Sequence, residues 1–155
     1  MKYAIFFAIA IFVSGCAQTA QKPSMTPLEI QSMQTRSYEN SKDVVFPSVM
    51  SVFQDLGYSI VSADMQTGLI AAESSAENSP MLTFLTGMTQ VNQTRATAFV
   101  EEIRDTSTVR LNFVEKSESS SVYGRSDRSD TPILNSDVYQ NAFERIESAI
   151  FVRAE

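Results

Sequence analysis

The sequence predicts an α+β domain: an antiparallel sheet of about five strands with two helices on one face, in the order β-α-β-β-β-β-α. Three observations predict it. Residues 41–56 and 136–150 repeat apolar side chains at helical spacing, four other segments alternate with strand period, and tight turns join those strands in hairpins. Packing both apolar helix stripes against one sheet face is the economical way to bury them.

Taken in order, residues 33–38, Met-Gln-Thr-Arg-Ser-Tyr, alternate loosely and read as a first strand. A helix follows from Ser41 as N-cap, with Val45, Val49, Val52, Phe53 and Leu56 on one face and Gly57 as its stop. Pro47 leaves two readings of its start: an irregular first turn, or a regular helix beginning near Phe46 with the proline at its first position. Tyr58–Asp64 and Gly68–Glu73 flank a short turn and form a hairpin, in which Leu69-Ile70-Ala71-Ala72 is apolar on both faces. Such a strand is interior, with either both sides covered or one face awaiting a partner. Thr94–Arg104 and Ser107–Lys116 form a second hairpin turning at Asp105-Thr106, with Val109, Leu111 and Phe113 on its core side. The last helix starts at Asn135 or Ser136 and carries Tyr139, Phe143, Ile146 and Ile150, supported by Ala142 and Ala149.

Ahead of this domain, Lys2 and an apolar run from Tyr3 to Val13 lead into Val13-Ser14-Gly15-Cys16. A run of about eleven residues is short of the roughly 20 that a membrane-spanning helix needs, so the segment reads as a cleaved leader. Small residues before a cysteine make a lipobox, the alternative being an ordinary signal peptide with a coincidental cysteine. In the bacterial lipoproteins this motif resembles, Cys16 gains a diacylglyceryl thioether and an N-acyl chain such as palmitate, and residues 1–15 are removed. That covalent lipid is the only cofactor expected. Several buried chains, each CH₂ contributing about 0.8 kcal/mol, anchor far more firmly than one. Ala17 stands where an aspartate would favour inner-membrane retention in the Gram-negative lipoproteins this resembles, so the expected location is the outer membrane, facing the periplasm. Residues 16–27 then read as the lipidated cysteine and a polar, proline-punctuated tether, and 28–155 as one domain.

Composition narrows the function. The chain has 12 basic and 18 acidic residues, and removal of Lys2 with the leader makes the mature part more acidic still. That balance, with arginines scattered along the chain, argues against nucleic-acid binding. Histidine is absent and Cys16 is the only cysteine, which removes Ser-His-Asp and Cys-His catalysis, the usual zinc ligand sets and any intramolecular disulfide. Glu101 and Glu102 are strand neighbours that project to opposite faces, leaving Asp64 with Glu73 as the one hairpin pair of carboxylates that a glycosidase would require. No catalytic residue is assigned.

Two loops are expected. Residues 75–90 are serine-rich and then apolar, and Met81, Leu82, Phe84, Leu85 and Met88 read either as a partner-contacting flap or as a short helix capping the sheet. Ser117–Asp130 reads as a solvated loop; Asp127 and Asp130 suit a hard cation, but interleaved Arg125 and Arg128 oppose it, so no metal is assigned.

The stretches Met33-Gln34-Thr35-Arg36, Val52-Phe53-Gln54-Asp55-Leu56-Gly57-Tyr58, Gly68-Leu69-Ile70 and Thr94-Arg95-Ala96 resemble a family of small, uncharacterised bacterial lipoproteins. The layout is also similar to the helix-grip domains of the accessory lipoprotein of the outer-membrane β-barrel assembly machine. The resemblance implies location and fold and supplies no catalytic residues. The expected function is a non-enzymatic interaction, assembly or scaffold module with envelope proteins as partners, of open oligomeric state; the alternative is a carrier or sensor of a small apolar ligand or lipid between helices and sheet.

Overall fold

The computed structural model describes residues 25–78, 88–121 and 126–155. Its spine is one long hairpin, β5 (Met88–Ile103) and β6 (Thr106–Ser121), paired without interruption from Met88–Ser121 to Ile103–Thr106. The turn between them is the two residues Arg104 and Asp105, both at positive φ (52° and 62°). Positive φ at both central positions matches the right-handed twist of the flanking strands. The turn therefore falls one residue before the expected Asp105-Thr106, because Thr106 already pairs with Ile103.

On one side β5 pairs with β3 (Leu69–Glu73), which pairs in turn with β2 (Ser59–Asp64), and farther along with the short β4 (Glu77–Asn78). The outer edge of β6 takes two partners in succession: β1 (Thr35–Tyr38) opposite 107–110, and β7 (Ser126–Pro132) opposite 114–120. All pairings are antiparallel. Between these two partners the backbone of Phe113 is satisfied differently: its N–H donates to the Tyr139 hydroxyl (3.3 Å) and its carbonyl accepts from the Ile133 N–H (2.9 Å).

The inward residues of the central strands, Ile70 and Ala72, Ala96, Ala98 and Val100, Val109, Leu111 and Phe113, are all buried. Over them lie α2 (Lys42–Asp55) and α3 (Ser136–Ala154), packed side by side. Alanine at 72, 96 and 98 leaves the room that α2 needs for close approach to the sheet. The helix stripes are the expected ones: Val45, Val49, Val52 and Phe53 on α2, and Tyr139, Ala142, Phe143, Ile146 and Ile150 on α3. Asn135 caps α3, its Oδ1 accepting from the Asp137 N–H at 2.9 Å. Phe53, Tyr58, Phe113 and Tyr139 form an aromatic chain with centroid separations of 5.2–6.3 Å. Such contacts add to burial itself.

The fold is α+β, with the expected antiparallel sheet, of seven strands rather than about five, and the expected helix pair, and besides the turn it differs from the expectation in four places. Helix α2 runs regularly from Lys42 with Pro47 inside it, so neither the irregular start nor a start at Phe46 holds. The missing N–H at Pro47 costs one intrahelical bond, to the carbonyl of Asp43, and packing of the stripe outweighs it. A further helix, α1 (Pro27–Gln34), takes the first two residues of 33–38 and the end of the expected tether, so the first strand starts only at Thr35. Residues 77–78 and 88–90 are strand rather than loop. Residues 117–121 and 126–130 are strand as well, extending the hairpin into a four-stranded ribbon in the order β4-β5-β6-β7.

Candidate functional site

The face of the sheet opposite the helices is uncovered by any described element. Residues that alternate with the core positions line it. Leu69 stands directly opposite Phe99, 54% and 39% exposed, with Arg110 beyond on β6 and the half-buried Ala71, Thr97 and Asn112 in the next row. Of the two readings of the apolar strand 69–72, the open face is the one that forms: Ile70 and Ala72 are buried, while Leu69 faces outward with Ala71.

Farther along the same face, toward the ribbon, charged side chains converge from four strands around a cleft of about 480 Å³. Glu73 Oε1 accepts from Arg95 Nε (3.0 Å) and Nη2 (2.7 Å) and from Lys116 Nζ (3.2 Å). These bonds, that from Arg95 foremost, hold the Glu73 carboxyl below its ordinary range. Arg128 is ion-paired with Glu118 directly across the β6–β7 ladder, and Asp130 stands opposite Lys116. The cluster thus alternates in sign across the strands, each cross-strand neighbour opposing the last.

The sequence-derived candidates distribute as follows. Val13, Ser14, Gly15 and Cys16 lie outside the described residues, as do Met81, Leu82, Phe84 and Leu85; Met88 opens β5, but its side chain is not among those described. Asp64 and Glu73 sit at opposite ends of the β2–β3 hairpin, Asp64 opposite Leu69 and Glu73 opposite Ser59. Four residues along a strand separate them by roughly 13 Å, so they do not form a carboxylate pair. Asp64 is occupied otherwise: its Oδ1 accepts from the N–H of Gln66 (2.8 Å) and of Thr67 (3.4 Å), and these bonds lower its pKa. Asp127 and Asp130 are three residues apart in β7 and leave by opposite faces, which separates the two proposed cation ligands. Glu101 and Glu102 do project oppositely. Glu102 turns toward α2, where its carboxylate accepts from the Lys42 N–H at 2.8 Å and faces the positive end of the helix.

No family model and no curated protein matches the chain.

Sequence reasoning missed the Glu73–Arg95–Lys116 cluster because its members are 22 and 21 residues apart and only three-strand pairing joins them. A signal was present: with the hairpin register fixed, Arg95 lies opposite Glu73 and one row from Lys116. What the outer face offers is a presented surface. Its carboxylates Glu73 and Glu118 accept from neighbouring cations, and its apolar pair Leu69 and Phe99 is exposed.

Proposed function

We propose that this chain is a non-enzymatic envelope lipoprotein whose domain is an interaction or scaffold module, tethered through Cys16 at the periplasmic face of the outer membrane. The lipobox carries the location, together with the likeness to small bacterial lipoproteins. Among the described residues no helix is long and apolar enough to cross a membrane, so in this reading attachment depends on the lipid. The single observation that carries the interaction role is the uncovered sheet face with Leu69 and Phe99 paired across β3 and β5. An exposed apolar pair on a sheet whose other face is packed gives a partner something to bury. Envelope proteins suit the acidic surface better than nucleic acid does. The carrier reading draws no support from the interior, where Phe53, Phe113, Phe143 and Tyr139 are buried together between helices and sheet.

The test has two arms. Cys16→Ser is expected to abolish incorporation of labelled palmitate and membrane fractionation; unchanged labelling overturns the lipoprotein assignment. A photo-crosslinking residue at Thr97, beside Leu69 and Phe99, is expected to give one discrete adduct in intact cells, with none from Glu144 on the exposed side of α3. Identical patterns from the two positions overturn the interaction surface.

A further inference from the structure

The edge of β6 carries two strands of very different standing. β1 is anchored by side chains: Tyr38 is buried with its hydroxyl donating to the Phe143 carbonyl (3.3 Å), and the Arg36 guanidinium lies 5.0 Å from the centre of the Phe143 ring. β7 is not. All seven of its residues, Ser-Asp-Arg-Ser-Asp-Thr-Pro, are exposed. Aspartate and proline are poor strand formers, so what is described holding β7 in place is main-chain pairing and the cross-strand charges. Exposed ion pairs contribute little and are screened by salt. With no buried side chain of its own to offset the entropy of ordering seven residues, β7 leaves the edge of β6 before β1 does.

We infer that β7 is a displaceable edge strand and that the slot it fills on β6, Val114–Ser120, accepts an extended segment of another protein bearing a basic residue followed two positions later by an acidic one. The slot stays formed when β7 leaves, because β5 pairs β6 along its whole length on the other side. Its inner end is closed where Tyr139 and Ile133 satisfy the Phe113 backbone. Main-chain pairing is indifferent to sequence, so selectivity falls to Lys116 and Glu118, which point from the same face of β6. An antiparallel strand must set a base against Glu118 and an acid against Lys116, the order in which β7 itself carries Arg128 and Asp130. The slot is separate from the Leu69–Phe99 face, so this inference and the Thr97 crosslink fail independently.

Hydrogen exchange on the full chain tests displacement. Amides of β7 are expected to exchange about a hundredfold faster than those of β1, and faster again in high salt; equal protection of β1 and β7 overturns the inference. Specificity is read with a peptide copying Ser126–Pro132 and a second with its arginine and second aspartate exchanged. The receiving protein is Arg128→Glu/Asp130→Lys, in which the resident strand no longer matches the slot. The copying peptide is expected to bind about tenfold or more tightly than its exchanged form. A cross-strand disulfide from Ser120→Cys/Ser126→Cys is expected to abolish binding. Equal affinity for the two peptides, or binding that survives the disulfide, overturns it. Unchanged near-ultraviolet circular dichroism of the receiving variant establishes its folding, and the exchange measurement on the unsubstituted protein needs no variant.

Discussion

The same two strands, β5 and β6, build both halves of the sheet, and the halves differ in what covers them. In the body, alternate side chains from Ala96 to Val100 and from Ser107 to Phe113 are sealed under α2 and α3. In the ribbon beyond, 88–93 and 115–121 pair just as regularly, flanked by β4 and β7, and none of the described side chains there, 91–93 and 115–120, belongs to the core. Identical backbone pairing therefore coexists with unequal stability. Exposed hydrogen bonds exchange one partner for water at little net gain, whereas each sealed apolar side chain contributes about 1.5–3 kcal/mol.

The largest effect that sharpens this contrast is Phe113→Ala, which removes a ring contacting Phe53, Tyr58 and Tyr139. Urea unfolding is expected to show a loss of about 3–5 kcal/mol. Val91→Ala in the ribbon is expected to cost less than about 1 kcal/mol; comparable losses at the two sites would break the comparison. Nearly as large is Gly68→Ala at the β2–β3 turn. Gly68 has φ +79°, and a Cβ there would lie 2.1 Å from the Val100 carbonyl oxygen, while the Val100 N–H donates to Gly68 at 2.8 Å. A thermal melt is expected to register a loss of more than about 3 kcal/mol. Gly57→Ala, with φ +85° but open space around the Cβ, is expected to cost about 1–2 kcal/mol.

Smaller is the effect of acid at the junction of the halves. Glu73, held below its ordinary value of 4.5, contributes stability that is complete above that value and is lost as pH falls through its folded-state value. Unfolding midpoints between pH 7 and pH 3 are expected to fall less in Glu73→Gln than in the unsubstituted protein. Asp64 and Glu29, lowered by their own hydrogen bonds, act in the same direction and keep part of the slope. An unchanged slope would detach Glu73 from the acid response. Smallest on the global scale is Arg128→Ala. It is expected to leave the melting midpoint unmoved while raising amide exchange in β7, and a shifted midpoint would tie the ribbon to the body after all.

Legibility in the sequence follows the same divide. The stripes of α2 and α3 and the alternation Val109-Leu111-Phe113 were readable because one face is buried and the other wet. The ribbon escaped because none of its described side chains is buried on either face, so Ser117-Glu118-Ser119-Ser120 has no apolar alternation to betray a strand and reads as loop. Helix α1 escaped for a related reason: it buries no residue at all. Its signal lay instead in Thr26-Pro27-Leu28-Glu29, a capping box with proline at the first helical position, in which the Glu29 carboxylate accepts from the Thr26 N–H at 2.7 Å. For the candidate site, the sequence offered a strand apolar on both faces but not which face was covered, and it paired Asp64 with Glu73 where the register separates them.

By itself, then, the sequence determined the α+β class, the two packed helices, the core face of the hairpin and the absence of histidine and of a second cysteine. These follow from local periodicity and composition, which any single segment displays. Only the tertiary structure decided that no described element covers the outer face of β3, that Glu73 meets Arg95 and Lys116, and that β1 and β7 share one edge of β6 on unequal terms. Each of these depends on strand register and on what packs above it, and both arise only when segments distant in the chain pair.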